Sequence, residues 1–391
     1  MGVTRRNDSS SWLARSDYSV DGKRPAQSFA DKKYGGREKA RLQAEQWLKK
    51  IDASILEGRF IDPHRNKISL EEFKLKVGIV KLNQRETTKS TLEDVWESYI
   101  APYRIAEMSI GKLADDPSII ANHIKHLKKD NGESYSNSTV VKVVEVFRVL
   151  FRKAVEMKYV LNNPATTQIV REWIPAKKRE NIHYLSVFEV NKIFKDMQEH
   201  SPLYAVMIPL MAYSGLRSGE VRGLHWSDVD FNSASVSITK QFSDKLNAFA
   251  PPKNDASIRE IKIPQYVIKL LKEQKSNLPA DCEFLFPNQK GNQNGSVIVC
   301  DTVINGRNFR RRHLKPALAR LEMLNTINIH TFRHTSVRIA RESGADLLAI
   351  SKRLGHSSIT TTADIYSELF KDIDTELVDK LDEYIAQQQI G

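Results

Sequence analysis

The stretch Tyr213-Ser214-Gly215-Leu216-Arg217-Ser218-Gly219-Glu220 decides how this chain is read. Gly215 permits a tight turn into a helix, so Arg217 is expected near the helix's first turn. Such a start collects unpaired backbone N–H groups and favours anions. Glu220, three residues on, shares the face of Arg217 and is expected to steady its guanidinium. Three further motifs follow in the same half of the chain. His330-Thr331-Phe332-Arg333-His334 puts His330 and Arg333 three apart, on one face of a helical turn. Leu354-Gly355-His356 leads through a Thr-rich stretch to Tyr366, and Lys253 stands in Pro251-Pro252-Lys253-Asn254.

Together these motifs bring two arginines, up to three histidines, a lysine and a tyrosine, with no carboxylate cluster suited to magnesium. That set matches metal-free transfer at a phosphodiester. The transition state carries about two negative charges, and two guanidinium forks can neutralise them. A phenol has a pKa of about 10, so only about one in a thousand is ionised at pH 7. Tyr366 therefore needs a base, for which His330 is the candidate. The leaving oxygen needs an acid, for which Lys253 is the candidate, with Lys240, Lys245 and Lys262 nearby. His334 reads as packing support beside Arg333. A zinc site on His330 and His334 is disfavoured, because Thr331 replaces the glutamate such helices carry and Arg333 would repel a cation.

Around this region the chain organises into three parts. Its 391 residues suit two or three domains, and hydrophobic residues at 40% suffice for ordinary cores. Lys and Arg number 60 against 48 Asp and Glu, a formal charge of +12 that favours a polyanionic partner. Cys282 and Cys300 lack metal-ligand spacing and imply no disulfide framework. No signal-like apolar segment opens the chain, and its longest apolar run, 204–213, is too short to cross a bilayer; a cytoplasmic protein is expected.

The first part, 1–60, predicts a strand over 12–20, a turn at Asp21-Gly22, a return strand over 23–30, and a helix. The apolar stripe of that helix is Ala40, Ala44, Trp47, Leu48, Ile51 and Ile55. Residues 61–87, with Pro63 and many charges, read as a linker. Residues 88–175 read as a helical bundle, with Thr91 capping a helix over 92–99 and a clear helix over 138–157. Residues 182–391 read as mixed helix and strand. Here Ser186 and Glu189 form a capping box, helices are expected over 203–213, 264–273, 308–321, 335–343 and 347–354, and strands over 236–240 and 257–263. The polar run 288–294 reads as a loop, and Leu377, Val378, Leu381, Tyr384 and Ile385 form an apolar C-terminal helix face.

Over about 182–370 the order and spacing of Arg217, Lys253, His330, Arg333, His356 and Tyr366 resemble the tyrosine recombinases, or phage integrases. The resemblance implies a multidomain, mainly α protein. It would carry a small N-terminal three-stranded sheet plus helix for arm-type DNA, a helical core-binding bundle and an α+β catalytic domain. It implies that Tyr366 attacks a DNA phosphate to form a 3′-phosphotyrosyl link, that Arg217 and Arg333 hold the phosphate, and that His356 hydrogen-bonds it. His330 would assist proton transfer and Lys253 would act as general acid. No cofactor is implied. Implied partners are double-stranded DNA at core and arm sites, a homo-tetramer on DNA, and an excision factor or DNA-bending protein. The separate N-terminal module, similar to integrase arm-binding domains, favours a phage or mobile-element integrase. A non-cutting DNA-binding regulator and a type IB topoisomerase are the alternatives. The first leaves the full residue set unexplained, and the second has no use for an arm-like module.

Overall fold

The computed structural model describes residues 2–5, 9–20, 22–62, 65–79, 86–172, 174, 182–252, 254–292, 295–323, 326–370 and 373–389. The chain divides into two compact units, Met1–Lys178 and Arg179–Gly391.

The first unit opens with three antiparallel strands in the order β1 (Val3–Thr4), β2 (Ser11–Arg15) and β3 (Ala26–Ala30). The hairpin closes on reciprocal backbone bonds between Val20 and Lys23, as the Asp-Gly turn predicts, although Asp21 lies outside the described residues. Both strands are shorter than the sequence suggests, and β1 was not legible because two residues carry no periodicity. Helix α1 (Arg37–Leu56) packs on this sheet, burying Ala40 and Ala44 where the stripe requires. The core here is small: Ala14, Phe29 and Ala44, edged by Trp12, Tyr34 and Trp47.

The stretch 61–87, expected as a linker, instead carries α2 (Leu70–Val77). Ser69 and Glu72 form a reciprocal capping box, and Leu70 and Phe73 are fully buried in the helical core. The signal was present in Ser-x-x-Glu before an apolar pair, but the surrounding charges masked it. Helix α3 runs Glu86–Tyr99, so Thr91 is not a cap; its hydroxyl donates back to the Thr87 carbonyl at 2.8 Å. The bundle continues through α4 (Ile110–Asp115), α5 (Ser118–His126), α6 (Asn137–Glu156) and α7 (Gln168–Arg171). Helix α6 is the central member, burying Val140, Val144, Phe147, Phe151 and Ala154 on the predicted face.

The second unit begins with α8 (Val187–His200), started by the Ser186–Glu189 capping box. Helices α9 (Pro202–Ala205), α10 (Met207–Ser214) and α11 (Ser218–Arg222) follow. Strands β4 (Val229–Asp230) and β5 (Ser235–Ile238) pair, the hairpin β6 (Gln241–Ser243) and β7 (Ala248–Ala250) stands apart, and β8 (Arg259–Lys262) completes a β4–β5–β8 antiparallel sheet. After α12 (Gln265–Ser276) comes a second hairpin, β9 (Pro287–Asn292) and β10 (Gly295–Val303). Of the polar run expected as a loop, residues 288–292 are strand and 293–294 lie outside the described residues; the strand's backbone pairs with the apolar Val297-Ile298-Val299, a partner that composition does not reveal. Helices α13 (Gly306–Phe309) and α14 (Lys315–Arg320) are joined by a π-helical turn at Arg310–Leu314. The unit closes with α15 (Ile329–Glu342), α16 (Leu347–Leu354), α17 (Ile359–Tyr366) and α18 (Ile373–Gln389). Its core, with Phe286, Phe309 and Phe332 fully buried, packs α8, α10 and α15 against the sheet and so fixes the frame of the site. Among the described residues no helix is long and apolar enough to cross a membrane.

Candidate active site

Helix α10 ends at Gly215, which adopts left-handed φ of 72° and turns the chain so that Arg217 caps α11. A side chain is excluded there on two grounds: the backbone is left-handed, and a Cβ would meet Ser336 Oγ at 2.6 Å. Gly219 serves close approach instead, since a Cβ would meet the Phe242 carbonyl oxygen of β6 at 2.9 Å. The Glu220 carboxylate accepts from the Arg217 backbone N–H and from its Nη1, both at 2.9 Å, as the sequence predicts.

Sequence reading missed the other side of this brace. Arg259 on β8 reaches the same carboxylate, with Nη2 3.1 Å from Oε2, while its Nε donates to the Arg353 carbonyl at 2.8 Å. Glu220 and Arg259 are both buried, at 2% and 8% side-chain exposure. Burial alone would raise the Glu220 carboxyl, but Arg259 and Arg217 outweigh it and hold the pKa below the ordinary carboxylate range. Nothing in the spacing of Arg259 from the motifs marks it; only the fold brings β8 beneath α11.

Helix α15 starts earlier than expected, at Ile329, because the Asn328 side chain caps it by accepting from His330 N–H at 2.8 Å. The motif His330 to His334 is therefore helical throughout. Arg333 is 2% exposed and points to the ends of α10 and α16. Its Nη1 donates to the Gly215 carbonyl at 2.5 Å, and its Nη2 to the Leu354 carbonyl at 2.8 Å and to His356 Nε2 at 3.0 Å. Among the described residues no carboxylate pairs with Arg333. Burial, then the neighbouring Arg217, push its pKa down to about 9. Arg217 pairs with Glu220 while Arg333, which it repels, is held only by neutral groups among the described residues, an arrangement suited to binding an anion.

Burial and then Arg333 hold His356 down to about 4, which leaves the imidazole neutral near pH 7. Since Nε2 accepts from Arg333, Nδ1 carries the proton and donates to Thr362 Oγ1 at 2.8 Å. Arg217 Nη2 reaches toward the Gly355 carbonyl at 3.5 Å, so the Leu-Gly-His motif touches both arginines.

Tyr366 ends α17 and is 1% exposed. Its hydroxyl is hydrogen-bonded to His334 Nδ1 at 2.8 Å. Burial pushes the phenol up to about 12, against the opposing pull of Arg333 and Arg217. His334, expected only to support packing, thus contacts the phenol directly. His330 stands one turn earlier at the exposed rim of α15, its ring 4.7 Å from that of His334. Burial, then Arg333 and Arg217, lower its pKa. Lys253 lies outside the described residues. Of the other lysines considered, Lys240 pairs with Asp228 at 3.3 Å and Lys262 donates to the Ser233 carbonyl at 3.0 Å. Five of the six residues singled out in the sequence are therefore brought into one region: Arg217 reaches Gly355, the neighbour of His356, which bonds Arg333, and His334, the neighbour of Arg333, bonds Tyr366. His330 joins it through ring contact with His334.

The phage integrase family profile matches residues 183–372, the span that holds the whole cluster. Among curated proteins, the chain is 27% identical to the ICEBs1 integrase of Bacillus subtilis, over 68% of this chain and 70% of that protein. It is also 27% identical to a XerC-like tyrosine recombinase of Caldanaerobacter subterraneus, over 78% of this chain and 80% of the relative. Among solved structures, the Tn1549 transposon integrase in complex with a circular intermediate DNA superposes with a TM-score of 0.63 at 20% identity, over 80% of this chain and 99% of that one. A lambda integrase dimer bound to a core site gives 0.55 at 15% identity, over 93% and 94%. Both structural likenesses establish a shared fold. With the profile match and the recombinase relatives set beside the cluster of two arginines, three histidines and a tyrosine, the region 183–372 is a domain of the phage integrase family of tyrosine recombinases.

Proposed function

We propose that this recombinase cuts and rejoins DNA at specific sites, with Tyr366 as nucleophile. A scissile phosphate bound between Arg217 and Arg333 would receive the Tyr366 oxygen, forming a 3′-phosphotyrosyl link and releasing a 5′ hydroxyl. The two forks neutralise the charge that develops on the non-bridging oxygens. His356 holds the Arg333 fork and would hydrogen-bond the phosphate once that contact opens and Nε2 carries the proton, a histidine of α15 assists proton transfer, with His330 the one the motif spacing nominates, and Lys253 protonates the leaving oxygen. The ester keeps the energy of the broken bond, so rejoining to a second strand requires neither ATP nor a metal. The observation that carries this reading is that both arginines act electrostatically on the buried phenol, with His356 bonded to Arg333 and His334 bonded to Tyr366.

In the same reading, residues 1–60 form an arm-site module, 88–175 a core-site module and 182–391 the catalytic domain of a cytoplasmic phage or mobile-element integrase. The enzyme works as a homo-tetramer on double-stranded DNA, with an excision factor or DNA-bending protein controlling direction. The exposed apolar side chains Leu377, Val378, Leu381, Tyr384 and Ile385 on α18 support assembly, since such a stripe calls for a partner surface.

The test is incubation with nicked target DNA in EDTA, followed by denaturing electrophoresis. A protein–DNA adduct is expected, abolished in Tyr366→Phe while DNA binding persists. Binding without an adduct would point to a non-cutting regulator, and an adduct without joining of two separate sites to a topoisomerase.

A further inference from the structure

Among the described residues, the side chain hydrogen-bonded to the Tyr366 phenol is not the histidine that the motif spacing nominates. His334 Nδ1 lies 2.8 Å from the hydroxyl, with the two rings 5.5 Å apart at 64°. At 1% exposure Tyr366 has almost no direct contact with bulk water. His330 forms no hydrogen bond with Tyr366 among the described residues; it faces the His334 ring edge-on, at 4.7 Å and 89°.

We propose that His334, rather than His330, accepts the proton of Tyr366 as the nucleophile attacks. This rests on the reading of Tyr366 as the nucleophile. As the Tyr366 oxygen bonds to phosphorus, its proton passes to His334 Nδ1. The bond from phosphorus to the 5′ oxygen breaks, and that oxygen takes a proton from the general acid. On rejoining, the incoming 5′ hydroxyl returns its proton to the general acid as its oxygen bonds to phosphorus, and the displaced phenolate recovers its proton from the His334 imidazolium. Nothing is oxidised or reduced.

The resting electrostatics fit a base that stays silent without DNA. Burial, then His330 and Arg333, hold His334 down to about 4, while burial holds the phenol high, so the proton stays on oxygen. His334 faces His330 and Arg333 from its own helix and Tyr366 from α17; Arg217 and Tyr184 act on the phenol from beyond. A phosphate diester seated on Arg333 and Arg217 adds negative charge that offsets the repulsion felt by His334. The imidazole then becomes more basic only when a substrate is present.

The test is single-turnover cleavage of nicked DNA by the full chain, with Tyr366 either native or replaced biosynthetically by 2,3,5-trifluorotyrosine, whose more acidic phenol needs less help. His334→Ala, His334→Asn and His330→Ala are compared on both backgrounds. With native tyrosine, His334→Ala is expected to slow cleavage by about 10²–10⁴-fold, with DNA affinity unchanged. With the fluorinated phenol that deficit should shrink by at least about tenfold, because the lost function is proton acceptance. His334→Asn retains an acceptor near the Nδ1 position but not its basicity, and should show the same narrowing; it carries the comparison if His334→Ala does not fold. An equal deficit on both phenols would assign His334 a structural role and overturn the proposal. Narrowing in His330→Ala alone would give the proton to His330 and also overturn it. An adduct that survives Tyr366→Phe would instead sink the nucleophile assignment, a separate outcome read in the same gel.

Discussion

Arg333 shows what a single buried charge can be arranged to do. Its fork is held by two helix-end carbonyls and by His356, all neutral, which orients the guanidinium without cancelling its charge. Arg333→Ala should lower the cleavage rate by about 10²–10³-fold. Arg333→Lys should not restore it, because a point charge cannot make the same paired bonds; the denaturing-gel assay checks both. Glu220 poses the opposite problem, one buried carboxylate serving Arg217 and Arg259. Glu220→Ala leaves two guanidinium groups facing each other and should cost about 3–5 kcal/mol, measured by denaturant unfolding. The histidines set a pH dependence. His313, His334 and His356 are each pushed down to about 4, by burial first and by charged neighbours second. Their ordinary value is 6.5, so between about pH 6.5 and 4 the unfolded chain holds more protons than the folded one. The stability they allow is complete above that window and is lost as pH falls through it. Thermal melts should show Tm falling from pH 7 to pH 5, with a smaller fall in His356→Asn.

At the scale of elements, the site depends on where helices stop. The ends of α10 and α16 deliver the carbonyls that grip Arg333, and the left-handed turn after α10 delivers Arg217. Gly215→Ala forces a Cβ into Ser336 and Leu354 on a backbone that disfavours it. A loss of more than about 1 kcal/mol is expected in unfolding experiments, together with a larger proportional loss of cleavage than a surface substitution of equal thermodynamic cost. In the first unit, α2 is structural rather than connecting. Phe73→Ala should destabilise by about 3–5 kcal/mol, because a fully buried ring is lost from the helical core. Residues of a true linker would change stability by less than about 0.5 kcal/mol.

For the molecule as a whole, the excess of 12 positive charges matters more for binding than for folding. Phosphate contacts release condensed counterions, so the logarithm of the DNA binding constant should fall linearly with the logarithm of salt concentration. Filter binding or fluorescence anisotropy between 50 and 200 mM salt checks this, and a loss of roughly 10³-fold or more is expected if six or more phosphates are contacted. A salt-insensitive constant would mean that the charge is not used on DNA.

The sequence by itself determined the local pieces. The capping box at Ser186, the Val20–Lys23 hairpin and the long apolar faces of α1 and α6 follow from short-range chemistry, and each is visible within a few residues. It also named the two arginines, the histidines and the tyrosine, because a phosphate with a developing charge requires that set and the motifs carry it in order. Only the tertiary structure decided which of them touch. Arg259 enters from β8, and His334 turns out to hold the phenol, because contacts made across 30 or more positions of chain leave no periodicity to read. The strand at 287–292 was hidden for the same reason: pairing is a property of a partner surface, and a polar segment acquires it only when the fold supplies that surface, whereas α2 carried a local capping signal that the surrounding charges masked.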